Sequence, residues 1–124
     1  MTHQYVAGTC NIGPDEVTLR RRVGHVGVAT TAALAAVLIR SELPPAWRLT
    51  LAVPAAGAAA GYLQARQRFC ADLGWRGVYN FGRRGQEQPV TGDQDLAKDR
   101  RRALQIAAAS GAIGLGVAVA SMLA

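Results

Sequence analysis

The sequence has few cysteines and few aromatic residues, and three long stretches of it carry no charge. Two cysteines in 124 residues exclude a small disulfide-stapled scaffold. Half of the residues are apolar, mostly Ala, Val and Leu, whereas no Asp, Glu, Lys or Arg falls within 23–39, 49–65 or 106–124. This segregation of charge argues against a disordered chain and against an ordinary soluble globule.

The three uncharged runs predict an all-α integral membrane protein with three transmembrane helices. They contain 17, 17 and 19 residues, at the lower edge of the roughly 17–25 that span a bilayer. A 17-residue helix is only about 26 Å long, so the flanking arginines must reach outward to the headgroups. The competing interpretations are a soluble Ala-rich helical bundle and, for the first run, a signal peptide. No clean small-x-small cleavage site precedes the segment Arg40-Ser41-Glu42, which favours an uncleaved helix.

The distribution of basic residues predicts the orientation. Three arginines precede the first run and nine basic residues lie between the second and third, whereas only Arg40 and Arg48 lie between the first and second. Twelve basic residues thus lie on one side of the membrane and two on the other. The positive-inside rule therefore predicts a multi-pass protein of the cell inner (plasma) membrane, with the N-terminus inside and the C-terminus outside.

Proline and glycine set the predicted boundaries. Residues 1–13 are predicted to form a cytoplasmic segment. Three helices follow: helix 1 covers 14–40 with its membrane span at 23–39, helix 2 covers 45–73 with its span at 49–65, and helix 3 covers 93–124 with its span at 106–124. Pro14 followed by two acids is typical of a helix start, and Pro54 is expected to kink helix 2. Residues 75–92 form a small cytoplasmic loop module rich in Gly, Arg and aromatics, in which strands on either side of 82–85 can pair as a short β-hairpin.

Small residues on the spans predict close helix packing. Gly57 and Gly61 form a small-xxx-small pair, and Gly111 and Gly114 recur on the third span. Since three thin helices cannot enclose a sizeable cavity, we expect a homo-oligomer or a larger membrane complex. The loop aromatics Trp75, Tyr79 and Phe81 are candidates for docking a partner, or for lying against the headgroups.

Two cysteines and two histidines are the candidates for chemistry. Cys10 and Cys70 fall on the same predicted side and form a candidate thiol pair, although two structural thiols explain them as well. No CxxC or HxxxH spacing predicts a metal site with His3 or His25, and no cofactor is predicted. His25 lies about one turn inside the first span, shallow enough to reach the headgroups.

The basic residues near the spans are candidates for contacts with membrane lipids. Eight arginines could hold anionic headgroups: Arg20, Arg21, Arg22, Arg66, Arg68, Arg100, Arg101 and Arg102. Because basic residues at a bilayer account for the sequence pI of about 10.4, no nucleic-acid partner is predicted.

The sequence contains no catalytic motif and predicts no enzyme. There is no Ser/His/Asp arrangement, phosphate loop or HExxH motif, and no carboxylate lies within a span. The segments Cys10–Pro14 and Arg68–Gly74 look motif-like, but they resemble no known family. We expect a non-catalytic accessory or scaffold subunit, with a redox or metal-binding membrane protein using Cys10 and Cys70 as the alternative. A transporter that works only as a dimer is a third possibility, disfavoured by the uncharged spans.

Overall fold

A computed structural model describes residues 5–83 and 85–123 and is mostly helical, at 73%. In chain order it contains α1 (Pro14–Arg40), a 3-10 helix (Pro45–Leu51), α2 (Ala52–Gln67), α3 (Ala71–Arg76), β1 (Val78–Tyr79), β2 (Gln88–Pro89) and α4 (Asp93–Met122). His3 lies outside the described residues. The predominance of helix agrees with the predicted fold class.

The long helices begin where local chemistry favours it. Pro14 occupies the first helical position of α1, and Asp15 and Glu16 lie in its first turn, near the positive end of the helix dipole. Asp93 and Asp95 play the same part in α4. Both starts lie where the sequence places them.

Residues 45–76 form three helices, where the sequence predicts one helix over 45–73. The 3-10 helix runs directly into α2, so Pro54 falls in the first α-helical turn, where a missing N–H costs little. At the other end, Arg68 adopts a left-handed conformation with φ of 53° and ends α2. Phe69 N still donates to the backbone Gln64 O at 3.1 Å, and the two N–H groups after it are bound by side chains: Cys70 N donates to Asn11 Oδ1 at 2.7 Å, and Ala71 N donates to Gln64 Oε1 at 2.8 Å. These bonds replace the helical hydrogen bonds and turn the chain into α3.

The loop module contains the small sheet that the sequence suggests. β1 pairs antiparallel with β2, with Val78 opposite Pro89 and Tyr79 opposite Gln88. Pro89 is tolerated because a two-stranded sheet consists of edge strands only. Arg84, within the connecting segment, lies outside the described residues.

Both α1 and α4 pack on α2. At the end of the bundle farther from the N-terminus of α1, Leu38, Leu51 and Ala118 form a buried cluster. At the opposite end, Phe69 packs with Ala103 and Ile106. The bundle is thus closed by larger side chains at its two ends and by small residues between them.

Among the described residues, two helices are long and apolar enough to cross a membrane. They are α1 and α4, whose most apolar windows have mean hydropathies of 1.6 and 1.8 and are only 11% and 28% buried. α2 has 16 residues and belongs to a 23-residue helical stretch only when joined to the 3-10 helix. The structure therefore shows two candidate spans where the sequence predicts three.

Candidate functional site

The polar residues gather at one end of the bundle, in residues 5–13, 68–83 and 85–102, which we call the polar cap. Asp99, on the first turns of α4, is fully buried and holds the N-terminal segment. Its carboxylate accepts hydrogen bonds from Tyr5 Oη at 2.6 Å and from Gly8 N at 2.7 Å. Arg102 Nε donates to Gly8 O at 2.9 Å, so adjacent turns of α4 bind both polar groups of one residue. Burial and the Asp99 carboxylate raise the pKa of Tyr5 above its usual 10.0, which keeps this hydroxyl a donor.

Asn11 joins the two motif-like segments. Its side chain is fully buried and pairs with the backbone of Cys70: Nδ2 donates to Cys70 O at 3.1 Å, and Oδ1 accepts from Cys70 N at 2.7 Å. Its backbone N donates to Arg68 O at 3.0 Å, and its carbonyl accepts from Asn80 N at 2.9 Å. All of the hydrogen-bonding groups of Asn11 are therefore used to hold three separate segments together.

Both members of the candidate thiol pair belong to the polar cap, and both are free thiols. Cys70 is 1% exposed, and its Sγ accepts a hydrogen bond from Arg20 Nη2 at 2.8 Å. Arg20 is also paired with Glu16 at 3.2 Å. Cys10 is half-buried and sits 3.9 Å from Ile12 O, and its burial raises the pKa of its thiol. Burial of one sulfur and a raised pKa for the other both slow thiol chemistry.

The eight candidate lipid-binding arginines separate into two groups. Three have side chains that bind other residues of the protein: Arg20 binds Glu16 and Cys70, Arg102 binds Gly8, and Arg100, although exposed, donates from Nε to Trp75 O at 3.1 Å. The other five have exposed side chains: Arg21, Arg22, Arg66, Arg68 and Arg101. These five remain the surface candidates for an anionic ligand.

The three candidate docking aromatics are placed differently. Trp75 is 52% exposed, with the Arg100 guanidinium 5.5 Å from its ring centre. Tyr79 stacks on Tyr5 with ring centres 4.5 Å apart and also packs beside Phe81. Trp75 is therefore the member that offers a free surface, while Tyr79 is committed to holding the N-terminal segment.

The four candidate packing glycines also divide in two. A Cβ on Gly61 would lie 2.5 Å from Gly24 N on α1, and one on Gly114 would lie 2.5 Å from Ala52 O on α2. These two glycines let backbones touch within the bundle. A Cβ on Gly57 or Gly111 would meet nothing within 4 Å, so these glycines lie on open helix surface.

His25 belongs to a pair that the sequence does not indicate. Its Nδ1 lies 2.7 Å from Tyr62 Oη, and the two rings meet edge-on with centres 5.4 Å apart. Gly24 makes room for this contact, since a Cβ there would lie 2.7 Å from the Tyr62 ring. The pair thus links α1 to α2 near the polar end of the bundle.

Sequence reasoning overlooked the three buried polar residues that organise the cap: Asn11, Asn80 and Asp99. The only available signal was the motif-like character of Cys10–Pro14 and Arg68–Gly74, which do pack on each other.

Within residues 5–83 and 85–123, no group of three or more His, Cys, Asp or Glu side chains is arranged to hold a metal ion. The chain was compared with protein-family models, with curated proteins and with solved structures, and none of the three comparisons found a match.

Proposed function

We propose that the protein is a non-catalytic accessory or scaffold subunit that crosses the inner membrane three times and presents the polar cap to the cytoplasm. The observation that carries the proposal is the contrast between the two ends of the same helices. The most apolar stretches of α1 and α4 are only 11% and 28% buried, so most of their surface is exposed. In the polar cap, by contrast, even the carboxylate of Asp99 is buried. The apolar core helix of a soluble protein is mostly buried, so these surfaces need lipid or another protein to cover them.

Two further observations support a hairpin of α1 and α2 in the membrane. The helices are in backbone contact, because a Cβ on Gly27 would lie 2.7 Å from Ala58 N and one on Gly61 would lie 2.7 Å from Arg20 O. A helix packed this closely is part of the folded protein, which argues against a cleaved signal sequence. The 3-10 helix and α2 together give 23 residues, about 38 Å of helix at the two rises, enough for a third span.

The docking surface of this subunit is Trp75 with the Arg100 guanidinium over its ring. Trp and Arg are enriched at the energetic centres of protein interfaces, and here both are held in place by the Arg100–Trp75 backbone bond. The remainder of the cap is tied down by its own hydrogen bonds. This rigid presentation lowers the entropy that a partner must remove on binding.

The experiment uses two tryptophans with matched exposure at opposite ends of the bundle. Trp75 is 52% exposed in the cap, and Trp47 is 53% exposed in the 3-10 helix. After purification from membranes in mild detergent, Trp75→Ala is expected to lose the co-purifying partner by at least tenfold, and Trp47→Ala to retain it. A monodisperse monomer without a partner, or equal effects of the two variants, would refute the docking surface.

A thiol-based function is the second candidate, and the contact between Arg20 and Cys70 Sγ favours it, because guanidinium groups accompany reactive thiols. Burial of Cys70 weighs against it. Cys10→Ser and Cys70→Ser variants that keep the partner and the membrane location would eliminate this candidate. Loss of partner binding on mild oxidation, prevented by either variant, would establish it.

A further inference from the structure

An apolar groove runs along the membrane-embedded part of the bundle. α1 and α4 rest on either side of α2, and its small side chains leave a cleft of about 410 Å³ between them. The floor is Ala55, Ala58 and Ala59, and Ile113 and Val117 form the α4 wall. The volume lies in the range of ligand pockets, roughly 300–1,000 Å³. We call this cleft the alanine groove.

The alanine groove offers nothing to a polar ligand along its length. The Thr31 hydroxyl in its wall donates to Gly27 O at 2.7 Å, and the Tyr62 hydroxyl is paired with His25. Its outer end approaches the buried cluster that contains Leu38 and Ala118. The occupant that fits such a surface is therefore a hydrocarbon chain.

Positive charge lies at the inner end of the groove. Helical spacing through residues 21, 25, 28, 32 and 35 puts Arg21 on the face of α1 that forms the wall, about 10 Å beyond Val28. The spacing 55, 59, 62 and 66 puts Arg66 on the matching face of α2, about 6 Å beyond Tyr62. Both arginines are exposed, and neither makes a hydrogen bond or ion pair with another described residue.

We propose that the alanine groove holds one acyl chain of an anionic phospholipid whose phosphate lies between Arg21 and Arg66. The His25–Tyr62 pair lies between the groove and the arginines, at the level of the lipid's ester groups. A second copy of the chain is a poorer occupant, because it carries a net charge of +6 and brings like charge to two arginines that lack an anion. The inference rests on the proposed membrane embedding and adds a specific ligand to it.

The test is native mass spectrometry of the purified protein in detergent with dioleoyl-phosphatidylglycerol or dioleoyl-phosphatidylcholine added. The two lipids share their acyl chains and differ in net charge. We expect phosphatidylglycerol to bind more tightly, with the difference abolished in Arg21→Gln/Arg66→Gln. At the usual contribution of each charge, the double variant should bind phosphatidylglycerol about 30-fold more weakly. Lys98→Gln, at an exposed basic residue of the cap that is not a candidate lipid contact, should bind as the wild type does.

A matched pair of alanines tests the position of the acyl chain. Ala32 lines the groove and is exposed, whereas Ala33 is its exposed neighbour on α1 outside the groove. Ala32→Leu should weaken phosphatidylglycerol binding roughly fivefold, as expected for the loss of about ten atomic contacts, and Ala33→Leu should not. Both substitutions are at exposed sites, so neither disturbs the buried contacts of the bundle.

Three results would overturn the inference. They are equal affinity for the two lipids, equal effects of Ala32→Leu and Ala33→Leu, and a wild-type dimer that Ala32→Leu dissociates. The last result would assign the groove to a second copy. Labelling of cysteines introduced at positions 42, 94 and 123 tests the membrane embedding separately. If that labelling shows three spans while the two lipids bind equally well, only the lipid site is rejected.

Discussion

The two pairs of span glycines predict opposite responses to the same substitution. In Gly61→Ala the new methyl group would lie 2.5 Å from Gly24 N and 2.7 Å from Arg20 O, both backbone atoms that can move only if α1 and α2 separate. In Gly57→Ala, four residues earlier on the same helix, the methyl group meets nothing within 4 Å. Gly114 and Gly111 form the second pair, on α4: a methyl group at Gly114 would lie 2.5 Å from Ala52 O, and one at Gly111 would meet nothing within 4 Å.

The magnitude follows from what the members of a pair share. Each Gly→Ala change improves helix propensity by about 1 kcal/mol, and this gain cancels within the pair. What remains is the cost of overpacking, typically about 1–3 kcal/mol. We therefore expect Gly61→Ala to be less stable than Gly57→Ala by about 1–3 kcal/mol, and Gly114→Ala to be less stable than Gly111→Ala by a similar amount.

The assay is reversible unfolding of the purified protein in mixed micelles of mild detergent and sodium dodecyl sulfate, followed by tryptophan fluorescence. Equal unfolding free energies within both pairs would refute the packing described here. Destabilisation by Gly57→Ala or Gly111→Ala that appears only at high protein concentration would show that their open surface is covered by a second copy.

Three further predictions concern the polar cap. Asn11→Ala should lower the free energy of unfolding by about 2–4 kcal/mol, because the buried N–H and C=O of Cys70 lose their partner. The exposed control Gln94→Ala should change it by less than about 0.5 kcal/mol, and similar values for the two variants would contradict the role of Asn11. Asp99→Ala should cost about 2 kcal/mol locally and speed hydrogen exchange at Gly8 N by roughly 30-fold, because no acceptor remains for this N–H, and it should leave exchange in α2 unchanged. Unaltered protection of Gly8 would show that the carboxylate does not hold this segment. In a Cys70→Ser variant, alkylation of Cys10 should reach half of its maximal rate at a higher pH than alkylation of a cysteine peptide does. The reason is that burial raises the pKa of the Cys10 thiol and leaves less thiolate at any given pH. If the pH of half-maximal rate is at or below that of the peptide, Cys10 is not buried as described.

The helix ends that the sequence predicted are those set by neighbouring residues. Pro14 and the acids after it define the start of α1 without help from the rest of the fold, and the same holds for Asp93 in α4. The short sheet around 82–85 is likewise a consequence of local turn residues. These features follow from backbone preferences and the helix dipole, which act over a few residues.

The break after α2 could not be predicted in this way. Residues 64–73 contain neither Pro nor Gly, and the helix ends because Asn11, 59 residues away from Cys70, supplies the hydrogen bonds that replace the helical ones. Burial of Asp99 similarly depends on Tyr5, 94 residues distant. In the sequence, Asp99 lies between Lys98 and three arginines, a pattern that is typical of solvent-exposed charged residues. Long-range partners of this kind leave no periodic signal in the sequence.

The same reasoning explains the mixed outcome for the docking aromatics. Trp75, Tyr79 and Phe81 are equivalent in a sequence, because each is an aromatic residue outside the apolar runs. Tyr79 is withdrawn from the surface by stacking on Tyr5, a contact that no pattern around residue 79 indicates. Exposure could only be assigned once the N-terminal segment was placed across the cap.

The three-span topology is tested most directly by cysteine reporters in a Cys10→Ser/Cys70→Ser background. The native thiols are poor reporters, because Cys70 is 1% exposed and burial raises the pKa of Cys10. Three exposed positions serve instead: Glu42→Cys in the turn after α1, Gln94→Cys at the start of α4 and Leu123→Cys at its end. With a membrane-impermeant maleimide on intact cells, the account predicts labelling at 42 and 123 but at 94 only after the membrane is opened. Labelling of all three in intact cells, of none, or of 94 alone would contradict it.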